Sequence, residues 1–315
     1  MDPVSQGLLG SCLAGAFCKK TQLKTATFCG FVGGLAPDLD IVIRSSSDPL
    51  LSIDYHRHFS HSLFFSPIGG LFVSLILLLI LRKKLSFKQI YFFSFLGYFS
   101  HGLLDACTSY GTVLFWPFSD FRVGLNIISI IDPVFTGIIF IFFLISVVRN
   151  SLLTIRIGLF LSIFHLSFNF IKYQQVKEYV KIIAAEREHK VERLFLNPTI
   201  GNNFLWRSVY QHEKQYFIDA IYFPFFGIPK YKQGPKINVI NKETVFPKLP
   251  KNSIQRKDIL RFAYFSQNYI YLHPDYDNLI ADLRYGTLPY DDKSLWGIEI
   301  NYNDPNKHVF FRSIR

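Results

Sequence analysis

Charge is scarce in the first 171 residues of the chain, and glutamate is missing from them altogether. Residues 62–81 are twenty in succession without a charged side chain. At 1.5 Å rise per residue, a helix of that length crosses the roughly 30 Å hydrocarbon core of a bilayer. Residues 89–119, 123–148 and 151–171 hold one charged residue each. We therefore predict an integral membrane domain in this part of the chain.

Cysteine is also rare, and the four cysteines lie in apolar segments without any CxxC pair, at Cys12, Cys18, Cys29 and Cys107. This predicts small packing residues and no disulfide framework. The chain lacks a G-x-S-x-G motif, a Cys/His nucleophile arrangement and a phosphate-cradling glycine loop. The formal net charge is +11, but no basic run stands out after residue 171. We predict no nucleic-acid partner, and a surface suited to anionic membrane lipid.

The predicted fold is a polytopic α-helical membrane domain of about five to six helices, followed by a soluble domain that is mainly antiparallel β or α+β. Residues 1–172 form the transmembrane domain, which begins with a hairpin of two short segments. Residues 173–189 show helical spacing of apolar residues and form a connector. Residues 190–315 contain short aromatic and β-branched segments, such as "KINVI" and "WGIEINY", bounded by turn residues.

The basic residues predict the orientation in the membrane. The turns at 19–24, 82–88 and 149–156 hold nine basic residues and no acid. The alternate loops at 42–60 and 111–125 hold three basic residues, which three aspartates balance. Because short basic loops stay in the cytoplasm, we expect the alternate loops and the C-terminal domain on the periplasmic side of a bacterial inner membrane.

By this topology all acids of the first half, which are aspartates, lie near the outer membrane face. Four histidines lie there as well, at His56, His58, His61 and His101. Carboxylate and neutral imidazole together suit zinc, manganese or iron(II). Buried carboxylates repel one another unless a cation neutralises them. We therefore predict a divalent metal site, with zinc as the first choice.

Two motifs present their polar groups in a defined geometry. In "HGLLD", His101 and Asp105 stand four residues apart and share one face of a helix. In "APDLD", Pro37 ends a helix and presents Asp38 and Asp40 in an extended turn. Metal binding is not the only interpretation of these motifs. His101 and Asp105 could instead hydrogen-bond to each other in a helix bundle, and Asp38 and Asp40 could cap a helix and be solvated.

Two further motifs depend on how the chain folds. In "HRHFSH", His56 and His61 converge if the first lies in the loop and the second opens the next helix, while His58 is predicted on the surface. Asp132 precedes Pro133, so it is either the cap of a helix or a ligand or close support of the metal site. His165 is predicted as a hydrogen-bonded histidine inside the bundle.

Several stretches together resemble the YdjM-type family of membrane-bound, metal-dependent hydrolases, over about residues 1–140. They are "MDPVSQGLLG", "GGLAPDLDIVIR", "YHRHFSHSL", "GYFSHGLLDACTSYGTVLFWPFSD" and "ISIIDP". The later "NNFLWRSVY" and "DLRYGTLP" resemble the tail of one branch of that family. The resemblance implies an inner-membrane protein whose metal ligands fall on Asp38, Asp40, His56, His61, His101, Asp105 and Asp132. Many members carry Thr-His where this chain has Ser5-Gln6, so the chain lacks a histidine ligand there, although Gln6 could offer a carbonyl oxygen.

The function expected is hydrolysis of an ester or phosphoester in a lipid-linked or envelope substrate at the outer membrane face. Asp40 and His61 are the candidate catalytic residues, with Asp40 accepting a proton from a metal-activated water. Arg57 and Arg122 could hold a phosphate, or else pair with the neighbouring aspartates. Two alternatives stay open, namely a metal-ion transporter and a non-enzymatic membrane protein whose tail binds a partner.

Overall fold

The computed structural model describes residues 1–314, which form two compact units. The helical unit comprises Met1–Ile41, His56–Tyr173 and Ile200–Asn202. The sheet unit comprises Val42–Tyr55, Gln174–Thr199 and the chain from Asn203 onward. A short stretch from the first half of the sequence therefore belongs to the sheet unit.

Eight α-helices follow one another along the described chain. They are α1 (Pro3–Ala16), α2 (Leu23–Leu35), α3 (Leu51–Tyr55), α4 (Ser66–Leu81), α5 (Phe87–Ala106), α6 (Pro133–Arg149), α7 (Leu152–Glu186) and α8 (Ile254–Phe265). Short 3-10 turns cover Lys20–Gln22, Ala36–Val42 and Phe59–His61. Residues 173–186 of the predicted connector belong to α7, which runs unbroken over 35 residues, and residues 187–189 lie beyond its end.

Glycines bring α1, α2 and α5 into backbone contact. A Cβ atom on Gly30 would lie 2.1 Å from the carbonyl oxygen of Gly10, and one on Gly97 would lie 2.1 Å from that of Gly30. Small residues at helix interfaces allow such close approach, which is common where helices pack within membranes. The tight packing holds the C-terminal ends of α2 and α5 side by side, and these ends carry the polar motifs.

The predicted number of five to six membrane-spanning helices is not confirmed. Within residues 1–314, α7 qualifies as a span by length and composition, and a second span is reached only if Leu51–His61 and Ser66–Leu81, bent by 86°, are counted together. Helices α1 and α2 have 14 and 13 residues, short of the roughly 20 that a bilayer requires. Leu79, Val148 and Phe160 are nevertheless 79%, 75% and 66% exposed, so α4, α6 and α7 bear uncovered apolar faces.

The sheet unit contains two four-stranded antiparallel sheets, each in sequential order. The strands are β1 (Arg193–Pro198), β2 (Leu205–His212), β3 (Gln215–Tyr222), β4 (Lys230–Asn238), β5 (Ile270–Leu272), β6 (Leu279–Asp282), β7 (Trp296–Glu299) and β8 (Phe310–Ser313). Residues of both sheets, including Val209, Ile218, Tyr271 and Ala281, share one buried cluster. The prediction of a helical N-terminal region followed by an antiparallel sheet domain is confirmed.

Arg261 on α8 holds residues 42–55 within the sheet unit. Its guanidinium donates to Asp54 at 2.8 Å, to Asp48 at 3.0 and 3.1 Å, and to Asp258 at 2.9 Å. The Nδ1 atom of His308 lies 2.9 Å from an Asp258 oxygen. A single guanidinium that contacts three carboxylates satisfies its own donors and offsets their mutual repulsion. Asp54, which is one of the aspartates near Arg57 in the sequence, is therefore paired with Arg261.

Candidate metal centre

Four side chains of the helical unit direct one ligand atom each into a common space. They are Asp38 after α2, His61 in the Phe59–His61 turn, and His101 and Asp105 on α5. The Nε2 atoms of His61 and His101 are 2.9 Å apart. Asp38 Oδ1 lies 3.5 and 3.4 Å from these nitrogens, and Asp105 Oδ2 lies 3.3 and 3.5 Å from them. The pitch of α5 places His101 beside Asp105. Helix α2 ends at Leu35, and Asp38 lies in the 3-10 helix Ala36–Val42, not in the extended turn that the sequence predicted.

These separations have the dimensions of a tetrahedral ligand set. Metal–ligand bonds of about 2.0–2.1 Å place tetrahedral ligands roughly 3.3 Å apart. The five separations given above run from 2.9 to 3.5 Å. Two imidazoles and two carboxylates are donors that zinc, manganese and iron(II) accept. The donor set therefore fits a divalent ion of this kind.

The hydrogen-bond partners of the Nδ1 atoms determine which nitrogen of each imidazole carries a proton. His101 Nδ1 lies 2.6 Å from the carbonyl oxygen of Gly34, which can only accept, so Nδ1 is the donor. His61 Nδ1 lies 3.2 Å from Asp40 Oδ2 and 3.0 Å from the Ser60 hydroxyl. Both Nε2 lone pairs consequently face each other, an arrangement that a shared proton or a cation stabilises. A hydrogen bond at the ring nitrogen that faces away from the ligand space is typical of histidines that bind metals.

Asp40 is buried behind the four ligand atoms and orients the histidines. One carboxylate oxygen lies 2.9 Å from His56 Nδ1, and the other accepts from the Arg57 backbone N–H and the Ser60 hydroxyl, each at 3.0 Å. Burial raises the pKa of Asp40, but hydrogen bonds from His56 and His61 lower it, and the pKa ends below its usual range. Asp40 is thus an ionised anchor for both rings.

A second group of possible ligands shares Asp38 with the first and adds Asp40 and His56. The His56 side chain is 31% exposed, whereas those of His61 and His101 are fully buried. His56 therefore lies on the open side of the cluster, where solvent or a substrate can reach it.

Asp105 contacts the N-terminal amine of Met1 and two further residues whose roles the sequence did not reveal. Gln6 Nε2 donates to Asp105 Oδ1 at 2.9 Å, and Arg57 Nε lies 3.0 Å from Asp105 Oδ2. Arg57 is buried and also donates to the Thr108 hydroxyl at 2.8 Å. The expected alternatives for Arg57 were a phosphate or a neighbouring aspartate, and the structure places it on Asp105 instead. Its backbone has φ +59°, a left-handed conformation that no residue pattern indicates.

Asp132 joins neither group within residues 1–314. It caps α6 by accepting from the backbone N–H groups of Val134 and Phe135, each at 2.9 Å. Its other oxygen lies 3.1 Å from His165 Nε2. This geometry corresponds to the helix cap that the sequence offered as one alternative, and it places His165 in a hydrogen-bonded pair. A direct ligand role for Asp132 has no support in this arrangement.

His58 and Arg122 border the site without contributing ligand atoms. His58 Nε2 is 4.0 Å from Asp120 Oδ1, and its side chain is 26% exposed. Arg122 Nη1 donates to the carbonyl oxygens of His56 and Gly111 at 3.2 and 3.3 Å. Arg122 therefore supports the backbone at His56.

Gly102 allows α5 to touch the turn that carries His61. A Cβ atom at Gly102 would lie 2.2 Å from the His61 carbonyl oxygen. The two histidines are thus brought together by a backbone contact that leaves no room for a side chain. The sequence pattern "HGLLD" did not predict that its glycine would contact the turn that carries His61.

The buried Asp/His cluster at the ends of packed helices is a candidate metal centre, and α7 is long and apolar enough to cross a membrane. The sequence matches the family described as YdjM inner membrane protein over residues 1–176, more than half of the chain, and the protein belongs to that family. Comparisons with curated proteins and with solved structures gave no significant match. The family description agrees with the inner-membrane location that the sequence predicted.

Proposed function

We propose that the protein is a metal-dependent hydrolase of the inner membrane. The observation that carries this proposal is the convergence of four ligand atoms from Asp38, His61, His101 and Asp105 within 4.8 Å. These residues would hold a divalent ion, and zinc is the first choice. When bound, such an ion lowers the pKa of a coordinated water and polarises an ester or phosphoryl oxygen.

His56 is the residue best placed to accept the proton of the attacking water. Because the carboxylate of Asp40 only accepts, His56 Nδ1 donates to it, and His56 Nε2 keeps a free lone pair. Asp40 itself is buried and already receives four donors, so it orients His56 and His61. We therefore assign proton transfer to His56, where the sequence had suggested Asp40, and assign ion binding to His61.

The surroundings of the site favour a substrate with an apolar chain. Leu39 and Ile41, which alternate with the site aspartates, are 66% and 67% exposed. Phe118 and Phe121 are 78% and 69% exposed. Uncovered apolar side chains beside a polar cluster suit a lipid-linked ester or phosphoester that presents its polar group to His56 and its chain to the membrane.

Hydrolysis is tested on purified full-length protein in lipid nanodiscs with bis(p-nitrophenyl) phosphate and p-nitrophenyl esters, with and without added Zn²⁺ or Mn²⁺. We expect metal-dependent turnover that His56→Ala lowers by about 10²-fold or more, the usual contribution of a general base. Metal content should stay unchanged in this variant, because His56 is outside the four-atom set.

The matched control is His58→Ala, which removes a neighbouring imidazole from outside both groups. It should keep wild-type turnover. A protein that binds metal but hydrolyses none of these substrates would favour a metal-ion transporter or a non-enzymatic role.

We also propose that the protein crosses the membrane several times, with the sheet unit in the periplasm. The basic turns at 19–24, 82–88 and 149–156 support this orientation. Alkaline phosphatase fused to the C-terminal end should be active, since it matures outside the cytoplasm, and the same enzyme inserted between Lys83 and Lys84 should be inactive. An inactive C-terminal fusion with an active insertion would reverse the orientation.

A further inference from the structure

The turn between β3 and β4 exposes a cluster of large apolar side chains. Its sequence is "FPFFGIP", residues 223–229. Phe226 is 94% exposed, Ile228 is 83% exposed and Phe225 is 57% exposed. Gly227 between them has φ +104°, which lets the chain reverse and present its neighbours outward. Exposed apolar residues occur singly on most proteins, but three at one tip indicate a contact surface.

The base of this turn packs on α7. The Tyr179 hydroxyl donates to the carbonyl oxygen of Pro229 at 3.2 Å, and the rings of Tyr179 and Phe223 are 6.1 Å apart with their planes nearly perpendicular. A groove lined by α7 residues from Gln174 to Ile182 lies beside Phe223 and Pro229. The tip is therefore attached to the helix that leaves the apolar part of the chain.

The distance along α7 is short enough for the tip to reach a bilayer. The helix is apolar enough to cross a membrane, and Ile171 is its last large apolar side chain exposed by more than half before Tyr179. Eight residues of helix separate Ile171 from Tyr179, about 12 Å. The polar region of a bilayer is roughly 5–8 Å thick on each side. The three residues from Pro229 to Phe226 span at most about 10 Å.

The charge of the hairpin favours a lipid surface as the partner. Residues 220–234 contain Lys230 and Lys232 and no acidic residue, and both lysines are exposed. Lysines that follow an aromatic tip can lie in the plane of anionic headgroups while the rings enter the interface. A symmetric contact between this tip and the same tip of a second copy would bring these lysines together and is disfavoured.

We propose that the β3–β4 turn inserts Phe225, Phe226 and Ile228 into the interfacial layer of an anionic bilayer, the membrane that α7 enters. The contact anchors the sheet unit to the lipid surface at a second point beside the helix. This inference depends on the membrane location of the family and is independent of hydrolase activity.

The test uses full-length protein in vesicles of phosphatidylglycerol and phosphatidylcholine, with tryptophan introduced by Phe226→Trp. The wild-type spectrum, from three native tryptophans, is subtracted. The matched control is Phe310→Trp, since Phe310 on β8 is 61% exposed. We expect the tryptophan at position 226 to emit at shorter wavelength than the one at position 310. Brominated lipid should quench it at least about twice as strongly as the tryptophan at position 310, and acrylamide should quench the tryptophan at position 310 more strongly.

Adding Lys230→Glu and Lys232→Glu to Phe226→Trp should lower the bromolipid quenching towards that of the control, because both charges then oppose the headgroups. Acrylamide quenching at position 226 equal to that at position 310 would overturn the proposal and leave the turn in water. Shielding from both quenchers would also overturn it, in favour of a protein partner.

Discussion

Replacement of His101 by alanine is expected to remove the bound divalent ion from the purified protein. His101 supplies one of four ligand atoms, and its Nε2 lies within 3.5 Å of the other three. Loss of residues that only support metal ligands costs about 10–100-fold in affinity, and loss of a ligand should cost at least as much. Elemental analysis of protein purified in nanodiscs should find about one zinc per chain in the wild type and only background in His101→Ala.

The matched control is again His58→Ala, because this imidazole lies outside both ligand groups. Both variants should insert into the membrane as the wild type does, since insertion depends on apolar length. Asp40→Asn should retain the four ligand atoms but weaken binding about 10–100-fold, since the amide is a poorer anchor for His61. Wild-type metal content in His101→Ala would contradict the proposed centre.

Replacement of Gly102 by alanine is expected to lower metal affinity and stability together, although it alters no ligand. The added methyl would lie 2.2 Å from the His61 carbonyl oxygen, so α5 and the His61 turn must separate. A shift of even 1 Å is large for ligands that a metal requires at about 2 Å. We expect zinc occupancy to fall about tenfold or more and the midpoint of thermal unfolding to decrease.

The control for this experiment is Gly137→Ala on α6, where an added Cβ meets nothing within 4 Å. Alanine has the higher helix propensity by about 1 kcal/mol, so this variant should be as stable as the wild type or more stable. The midpoint of thermal unfolding should therefore decrease in Gly102→Ala and stay the same or increase in Gly137→Ala. Equal metal content and equal unfolding midpoints in both would show that the contact at Gly102 does not constrain the site.

The residues that one helix positions were predictable. His101 and Asp105 share a face of α5 because the helical period places residues four apart together. Asp38 and Asp40 follow the end of α2, but the two residues have different surroundings. Asp38 faces the ligand cluster, while Asp40 is enclosed by donors from the loop that follows. The alternation of exposure within "PDLD" depends on that loop, and no local pattern encodes it.

The support of Asp105 illustrates the same limit. Gln6, Arg57 and Asp105 are far apart in the chain, and each has several plausible partners nearby in the sequence. Arg57 contacts Asp105 because its backbone adopts φ +59° and its side chain is buried beside α5. Asp132, which has the same residue type as the ligands, caps α6 because its own helix start offers the nearest N–H donors.

Local chemistry accounts for the apolar segments, the shared face of His101 and Asp105, and the strand-and-turn character of the second half. These properties follow from side-chain hydrophobicity, helical period and turn preference, which act over a few residues. The tertiary structure decided which aspartates face the ligand space, which histidine stays open and where the β3–β4 turn lies on α7. Those outcomes depend on contacts between segments distant in the chain, such as the backbone approach at Gly102, and packing alone selects among them.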